Sequence, residues 1–236
     1  MNYDEAALQL VRERRLLIDR CDKWLFDTIE PFIGERVIEI GCGMGNLIAH
    51  LTDCELVIGI DPSQESVEYV TGQYRVHANV HALCMDVLDT AFRGLAQLRL
   101  DTAVSLNVFE HIERDDVAIQ QVFEVLKPGG VFVLIVPAHQ MLYGPMDSSI
   151  GHYRRYSIGE ANRKLTTAGF EIVQQRYMNP IGALGWFTNG RILRRRVPPV
   201  DQLTLFNSIM PIVTLVDRIP YVPFGLTVLS VARRPA

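Results

Sequence analysis

At 236 residues, with 48% apolar and 21% charged side chains, the chain is long enough to bury a full core and too apolar to be disordered. Its 23 basic and 27 acidic side chains give a formal charge of −4, which leaves no general footprint for nucleic acid. Cys21, Cys42, Cys54 and Cys84 form no CxxC pair, so free thiols are expected rather than a zinc centre or a disulfide framework.

Met1–Arg20 alternates charge and apolarity without the apolar centre of a secretory signal, and no run reaches the roughly 18 apolar residues of a membrane span. Apolar positions Leu8, Val11, Leu16, Leu17, Trp24, Leu25 and Ile29 predict one or two amphipathic helices over 5–30. From Arg36 strand and helix alternate. Strands are expected at 36–40, 56–60, 80–85, 102–106, 131–136, 170–175 and 227–232. Helices are expected at 46–51, at 63–74 behind a Ser cap and Pro62, at 117–126 before Lys-Pro-Gly-Gly, and from Ser157 to Ala168 before Gly169. The alternation predicts an α/β three-layer sandwich, a mostly parallel seven-stranded sheet with helices on both faces. One domain is expected: N-terminal helices over 1–34, a core over 35–176, a helical insertion over 177–224 and a last strand over 225–236.

Ligands of open parallel sheets sit at the carboxyl ends of the strands. Strand 1 ends in Glu39 and Gly41-x-Gly43-x-Gly45, and Asp61 closes strand 2. Asp86 and Val87 follow strand 3, Asn107, Val108, Glu110 and His111 follow strand 4, and Pro137, Ala138 and His139 follow strand 5. Glycines allow close backbone approach, and an acid at the next strand end can grip a ribose. A pyrophosphate site would exclude the carboxylate of Glu39 and would keep two residues between the second and third glycines. A nicotinamide-dependent oxidoreductase is therefore the weaker enzyme reading, and a cofactor-binding protein without catalysis stays open.

In order over residues 36–175, EIGCGMG, IDPS, CMDV, SLNVFEHI and LKPGG resemble the class I, Rossmann-like S-adenosylmethionine-dependent methyltransferases of the small-molecule group. That resemblance implies S-adenosylmethionine as cofactor, with Gly41, Gly43 and Gly45 beside its methionine half and Glu39 meeting its ammonium. It further implies Asp61, with Pro62, at the ribose, Asp86 and Val87 at the adenine, and Asn107 at the methionine end. Asp147-Ser-Ser-Ile-Gly-His-Tyr-Arg-Arg-Tyr156, with Asn179-Pro-Ile-Gly and Pro223-Phe-Gly-Leu-Thr, resembles a bacterial subgroup often found near polyprenyl-phosphate or sugar-transferring enzymes.

An in-line methyl transfer needs positioning, and an alcohol acceptor also needs a base. Base candidates are His139, His152 and His111, in that order. Tyr143, His152, Tyr153, Arg154 and Arg155 are candidate substrate contacts, with a structural clamp the alternative for the two arginines. No metal is expected, because no compact ligand pair occurs. The expected reaction is O-methylation of a small hydroxylated molecule, a sugar or a glycosylated or lipid-linked precursor; N-methylation of an amino sugar or other small amine is the alternative. The insertion, with Arg191–Arg196 beside apolar stretches, reads first as a solvated basic face beside a buried helical pair, with a substrate lid, a dimer surface or a peripheral membrane contact as the alternatives. A cytoplasmic monomer or homodimer, with membrane association through 177–224 left open, completes the expectation.

Overall fold

The computed structural model describes residues 19–197, 199–219 and 222–236, so Leu8, Val11, Leu16 and Leu17 of the expected N-terminal helices lie outside the described residues. Seven strands form one sheet: β1 (Arg36–Ile40), β2 (Leu56–Asp61), β3 (Val80–Cys84), β4 (Leu100–Leu106), β5 (Leu126–Pro137), β6 (Glu171–Met178) and β7 (Thr227–Arg233). Their order is β3-β2-β1-β4-β5-β7-β6, with β7 running antiparallel between β5 and β6. The described helices are α1 (Asp19–Ile29), α2 (Gln64–Gln73), α3 (Asp115–Val125), α4 (Pro145–Ser149), α5 (Ile158–Thr167), α6 (Pro180–Phe187), α7 (Val200–Ser208) and α8 (Met210–Asp217).

Strand alternation divides the apolar side chains between two cores. Ile38, Ile40, Ile58 and Ile60 join Phe132 and Leu134 under Ile119 and Val122 of α3 and Leu165 of α5. Val37, Val57, Val104 and Val133 face the other way, against Trp24, Leu25 and Ile29 of α1 and Met210 and Val213 of α8. Glu39 alternates onto this second face, where it is buried at the end of the strand. Local signals start and stop the helices as the sequence implies: Ser63 accepts the Ser66 N–H at 3.3 Å, Ser157 accepts the Glu160 N–H at 3.1 Å, and Gly169 ends α5 at φ +101°.

One expected helix is absent. Residues 46–51 make a 3₁₀ turn at Ile48–His50 instead. The His50 N–H bonds to Leu47 O and the Leu51 N–H to Ile48 O at 2.9 Å, while the Ala49 N–H reaches back to Gly45 O at 3.1 Å, and the chain folds over again at Cys54 to begin β2. The glycine turn takes up 41–45 of this crossover, and a single 3₁₀ turn follows it. A longer 3₁₀ segment at Thr90–Leu98, unforeseen in the sequence, fills the crossover before β4.

The helix layer over the first face is tied to the following loop by one carboxylate. Asp115, at the start of α3, accepts from the Tyr156 hydroxyl at 2.6 Å and Lys164 Nζ at 2.8 Å, and pairs with Arg154 Nη1 at 2.6 Å. Replacing Asp115 with Ala would take the counter-ion from two cations and leave the buried Tyr156 hydroxyl only Phe109 O, at 3.1 Å. Breaking a fully buried pair costs about 3–5 kcal/mol, and partial exposure of Arg154 and Lys164 lowers the expected loss to about 2–3 kcal/mol. Urea unfolding reads this directly; an unchanged midpoint would refute the tie.

Candidate active site

Strand order reverses between β1 and β4, and there β1 breaks into the glycine turn. The N–H groups of Gly41 and Cys42 both donate to Ile60 O, at 2.8 and 2.9 Å, which pins the turn to the end of β2. Gly41, Gly43 and Gly45 all have positive φ, +73°, +50° and +75°. A Cβ at Gly41 would strike Val108, and one at Gly45 would lie 2.9 Å from Tyr74. At Gly43 a Cβ would meet nothing within 4 Å, so the backbone there faces open space. Asp61 braces this cradle: Oδ2 accepts the Gly43 N–H at 3.0 Å and Oδ1 the Ser63 N–H at 2.9 Å. The carboxylate keeps lone pairs for further donors.

A cavity of about 430 Å³ opens above the turn. Glu39, Gly41, Gly43, Asp61 and Pro62 line its floor, and Asp86, Val87 and Asn107 its wall. Gly45 stands behind the lining, where its carbonyl accepts the Tyr74 hydroxyl at 2.8 Å. Asp86 is exposed and accepts the Leu88 N–H at 2.8 Å. Asn107 adopts φ +54° while its N–H donates to Ile135 O at 2.8 Å, turning the chain out of β4 beside the ligand space. Asp22 and Asn46 line the cavity as well, joined by an Nδ2–Oδ2 hydrogen bond of 2.7 Å. The long separation of this pair hides it from sequence patterns. Acidic side chains on the floor, an open glycine backbone and apolar Met85, Val87 and Leu106 suit a ligand bearing ammonium, sulfonium, ribose hydroxyls and a flat base.

His111, Ile150 and Gly151 also line the cavity. The His111 and His152 rings meet edge to face at 4.6 Å. His152 Nδ1 lies 3.0 Å from Asp147 Oδ1, so it donates to that carboxylate and leaves Nε2 toward Glu110, 3.7 Å away. Glu110 is wholly buried, and neither of its oxygens has a hydrogen-bond partner among the described residues. Burial pushes its pKa up to about 7, against the pull of His152 and Arg155. Burial, then the neighbouring His152, lowers His111 to about 4, while hydrogen bonds to the Gly151 and Ile150 backbone oppose the drop. Glu110, His111 and His152 each offer a ligand atom within 4.8 Å of the others, a grouping that could span a cation and that no local spacing in the sequence announces.

Other candidates fall elsewhere. His139 is not among the lining residues; at φ +61° its ring stacks between Tyr177 at 4.4 Å and Phe224 at 4.5 Å. Its place just past β5 was correctly read, but the left-handed backbone turns the ring away toward the chain entering β7. Arg155 is buried, with Nε donating to Asp147 Oδ1 at 2.7 Å, Nη1 to Ala138 O at 3.1 Å, and the guanidinium 4.9 Å over the Trp186 ring. Arg154 is spent on Asp115 and on Glu113 O, 2.8 Å from Nη2. Both arginines are thus held by partners within the fold, as the clamp alternative expects. The Tyr143 hydroxyl donates to His152 O at 2.7 Å, and the Tyr153 N–H donates to Glu110 O at 2.8 Å while its side chain stays partly exposed.

A family model described as "Methyltransferase domain" matches residues 11–175. Among curated relatives, a "Probable S-adenosylmethionine-dependent methyltransferase" of Mycolicibacterium smegmatis is 32% identical over 59% of this chain and 53% of its own length. A ubiquinone biosynthesis O-methyltransferase of Brucella anthropi is 31% identical over 48% of this chain and 46% of its own. The chain thus spans about half the length of the curated relatives it matches. The fold superposes on that of a geranyl diphosphate methyltransferase solved with S-adenosylmethionine, at TM-score 0.65 and 14% identity, covering 92% of this chain and 85% of that one. With the family model spanning well over half of the sequence, the chain belongs to the methyltransferase-domain family, in its class I S-adenosylmethionine-dependent group.

Proposed function

We propose that this chain transfers the methyl group of S-adenosylmethionine to a hydroxyl oxygen of a small molecule, with His111 as the base. The observation that carries this reading is a neutral imidazole lining the cofactor cavity, backed by a second histidine and two buried acids. Relatives named as ubiquinone biosynthesis O-methyltransferases support transfer to oxygen. Sugars and glycosylated or lipid-linked precursors are the first acceptors to test, and phenols the second.

Bound cofactor supplies a methyl group on a sulfonium, a leaving group that needs no protonation. Glu39, the 41–45 turn and Asp61 would hold its methionine and ribose, with Asp86 and Val87 at the base. Fixed position and exclusion of water then supply much of the rate. His111 takes the acceptor's proton. At a pKa of about 4 it is fully available at neutral pH but holds a proton poorly. Glu110, whose oxygens lie within 4.8 Å of the histidine nitrogens and whose pKa is raised to about 7, is close enough to receive that proton through one bridging water.

Asp61→Ala should weaken S-adenosylhomocysteine binding at least about a hundredfold by calorimetry, since it removes both the ligand's partner and the brace on Gly43. Unchanged affinity would refute the cavity assignment. His111→Gln should lower kcat by about 10²–10⁴-fold with cofactor affinity retained. Product mass and NMR must place the new methyl on oxygen; a methyl on nitrogen would overturn the acceptor class. Loss of activity in chelator, restored by a divalent cation, would replace the base with a metal at the same three side chains.

Activity should rise with pH through about 7 as Glu110 loses its proton, and Glu110→Gln should abolish that inflection. Stability gives a second readout. Glu110, raised when folded, contributes fully below pH 4.5, and that contribution is lost as pH rises through about 7. His111, lowered when folded, contributes above pH 6.5 and loses its effect as pH falls through about 4. The two oppose each other in the wild type. Glu110→Gln should therefore gain stability from pH 4 to 6.5, and His111→Gln should lose it from pH 4.5 to 7, by chemical denaturation across that range.

A further inference from the structure

The insertion between β6 and β7 is firmly rooted yet presents an apolar outer surface. At its base the Asn179 N–H donates to Asp217 Oδ1 at 2.7 Å, and Asn179 O accepts the Leu226 N–H at 3.1 Å. On α8, Met210, Val213 and Asp217 turn inward, while Ile212, Leu215 and, just beyond, Ile219 follow at helical spacing on the opposite side, each more than half exposed. Leu184, Ile192 and Leu205 of the same insertion are also more than half exposed. Isolated exposed leucines need no explanation, but this many within one segment do.

Charge identifies what covers them. Residues 177–224 contain five arginines, Arg191, Arg194, Arg195, Arg196 and Arg218, and two acids, so the segment carries +3 in a chain of net −4. All five arginines are exposed, whereas Asp217, one of the two acids, is buried. A second copy docking through this face would bring five arginines against five across a two-fold axis, a repulsive arrangement. An anionic lipid surface accepts both the arginines and the apolar side chains. No described helix is long and apolar enough to cross a membrane, so this contact lies along the surface.

We infer that the 177–224 insertion is a membrane-docking face for anionic lipid. It adjoins the cavity: Arg191 Nη1 donates to Tyr143 O at 3.3 Å, and Ser149 Oγ donates to Arg196 O at 2.9 Å, one residue before Ile150 in the cavity lining. Docking would place the cavity rim at the lipid headgroups, where a lipid-linked acceptor is presented. That last step rests on the methyl-transfer reading; the docking does not.

The test is flotation of the full chain with vesicles of phosphatidylcholine alone and of phosphatidylcholine mixed with phosphatidylglycerol, alongside S-adenosylhomocysteine calorimetry and light scattering. Binding to the mixed vesicles alone, weakened by added salt, is expected. Arg194→Gln with Arg218→Gln should lower the partition coefficient about twenty-five-fold, at about fivefold per arginine. Ile212→Ser with Leu215→Ser should lower it about tenfold or more through lost apolar contact. Both variants should keep wild-type cofactor affinity and remain folded, which separates failure of the docking face from failure of the methyltransferase reading. Absence of flotation with anionic vesicles, equal binding to neutral ones, or a dimer that Ile212→Ser with Leu215→Ser dissociates would each overturn the inference.

Discussion

One buried carboxylate organises everything above the cofactor cavity. Asp147 lies fully inside the protein, where an unpartnered charge could not persist. Its Oδ1 takes Arg155 Nε at 2.7 Å and His152 Nδ1 at 3.0 Å, while Oδ2 takes the Gly144 N–H at 2.9 Å and faces Trp186 Nε1 at 3.4 Å. Burial alone would raise its pKa; the His152 hydrogen bond and the Arg155 charge win and hold it below the usual carboxylate range. Through these partners Asp147 sets the tautomer of His152, closes the loop whose Ile150 and Gly151 roof the cavity, and reaches α6 of the insertion. The roof of the cavity and the proposed docking face thus share one anchor.

Below the roof a different economy prevails. The floor is held by backbone: Ile60 O receives two N–H groups of the glycine turn, and Asp61 braces that turn at Gly43. The same side chains that shape the floor therefore line the cavity, and the fold alone shapes the turn. Roof and floor meet at His111, whose neighbours Glu110 and His152 belong to the buried layer while its own edge reaches the cavity.

The floor was legible in the sequence because its determinants are local and periodic. A glycine turn leaving an apolar strand and an acid at the next strand end can each be found by counting, and a mostly parallel sheet follows from alternation of strands with helices. In place of the helix expected at 46–51, the glycine turn is followed by a single 3₁₀ turn at Ile48–His50, which no local pattern of the sequence distinguishes from a helix. The roof was harder to read. His139 and His111 look alike as strand-end histidines with His152 in the loop beyond, and the backbone at His139, at φ +61°, carries it out of the group. Arg154 and Arg155 have the chemistry of ligands, yet their partners Asp115 and Asp147 become visible only when α3 and the loop are folded together. Asp22 meets Asn46 across two elements for the same reason.

The 3₁₀ turn after the glycines has a consequence for turnover. A full helix starting there would aim the positive end of its dipole at the ligand, whereas a single 3₁₀ turn contributes little of that field. The potential of the floor is then set by Glu39, Asp61 and Asp86. On the proposed methyl-transfer reading, such a floor attracts the sulfonium of the methyl donor. Once the methyl group leaves, the sulfur is neutral and that attraction disappears. The step that makes product also loosens its hold, so release is written into the charge of the site.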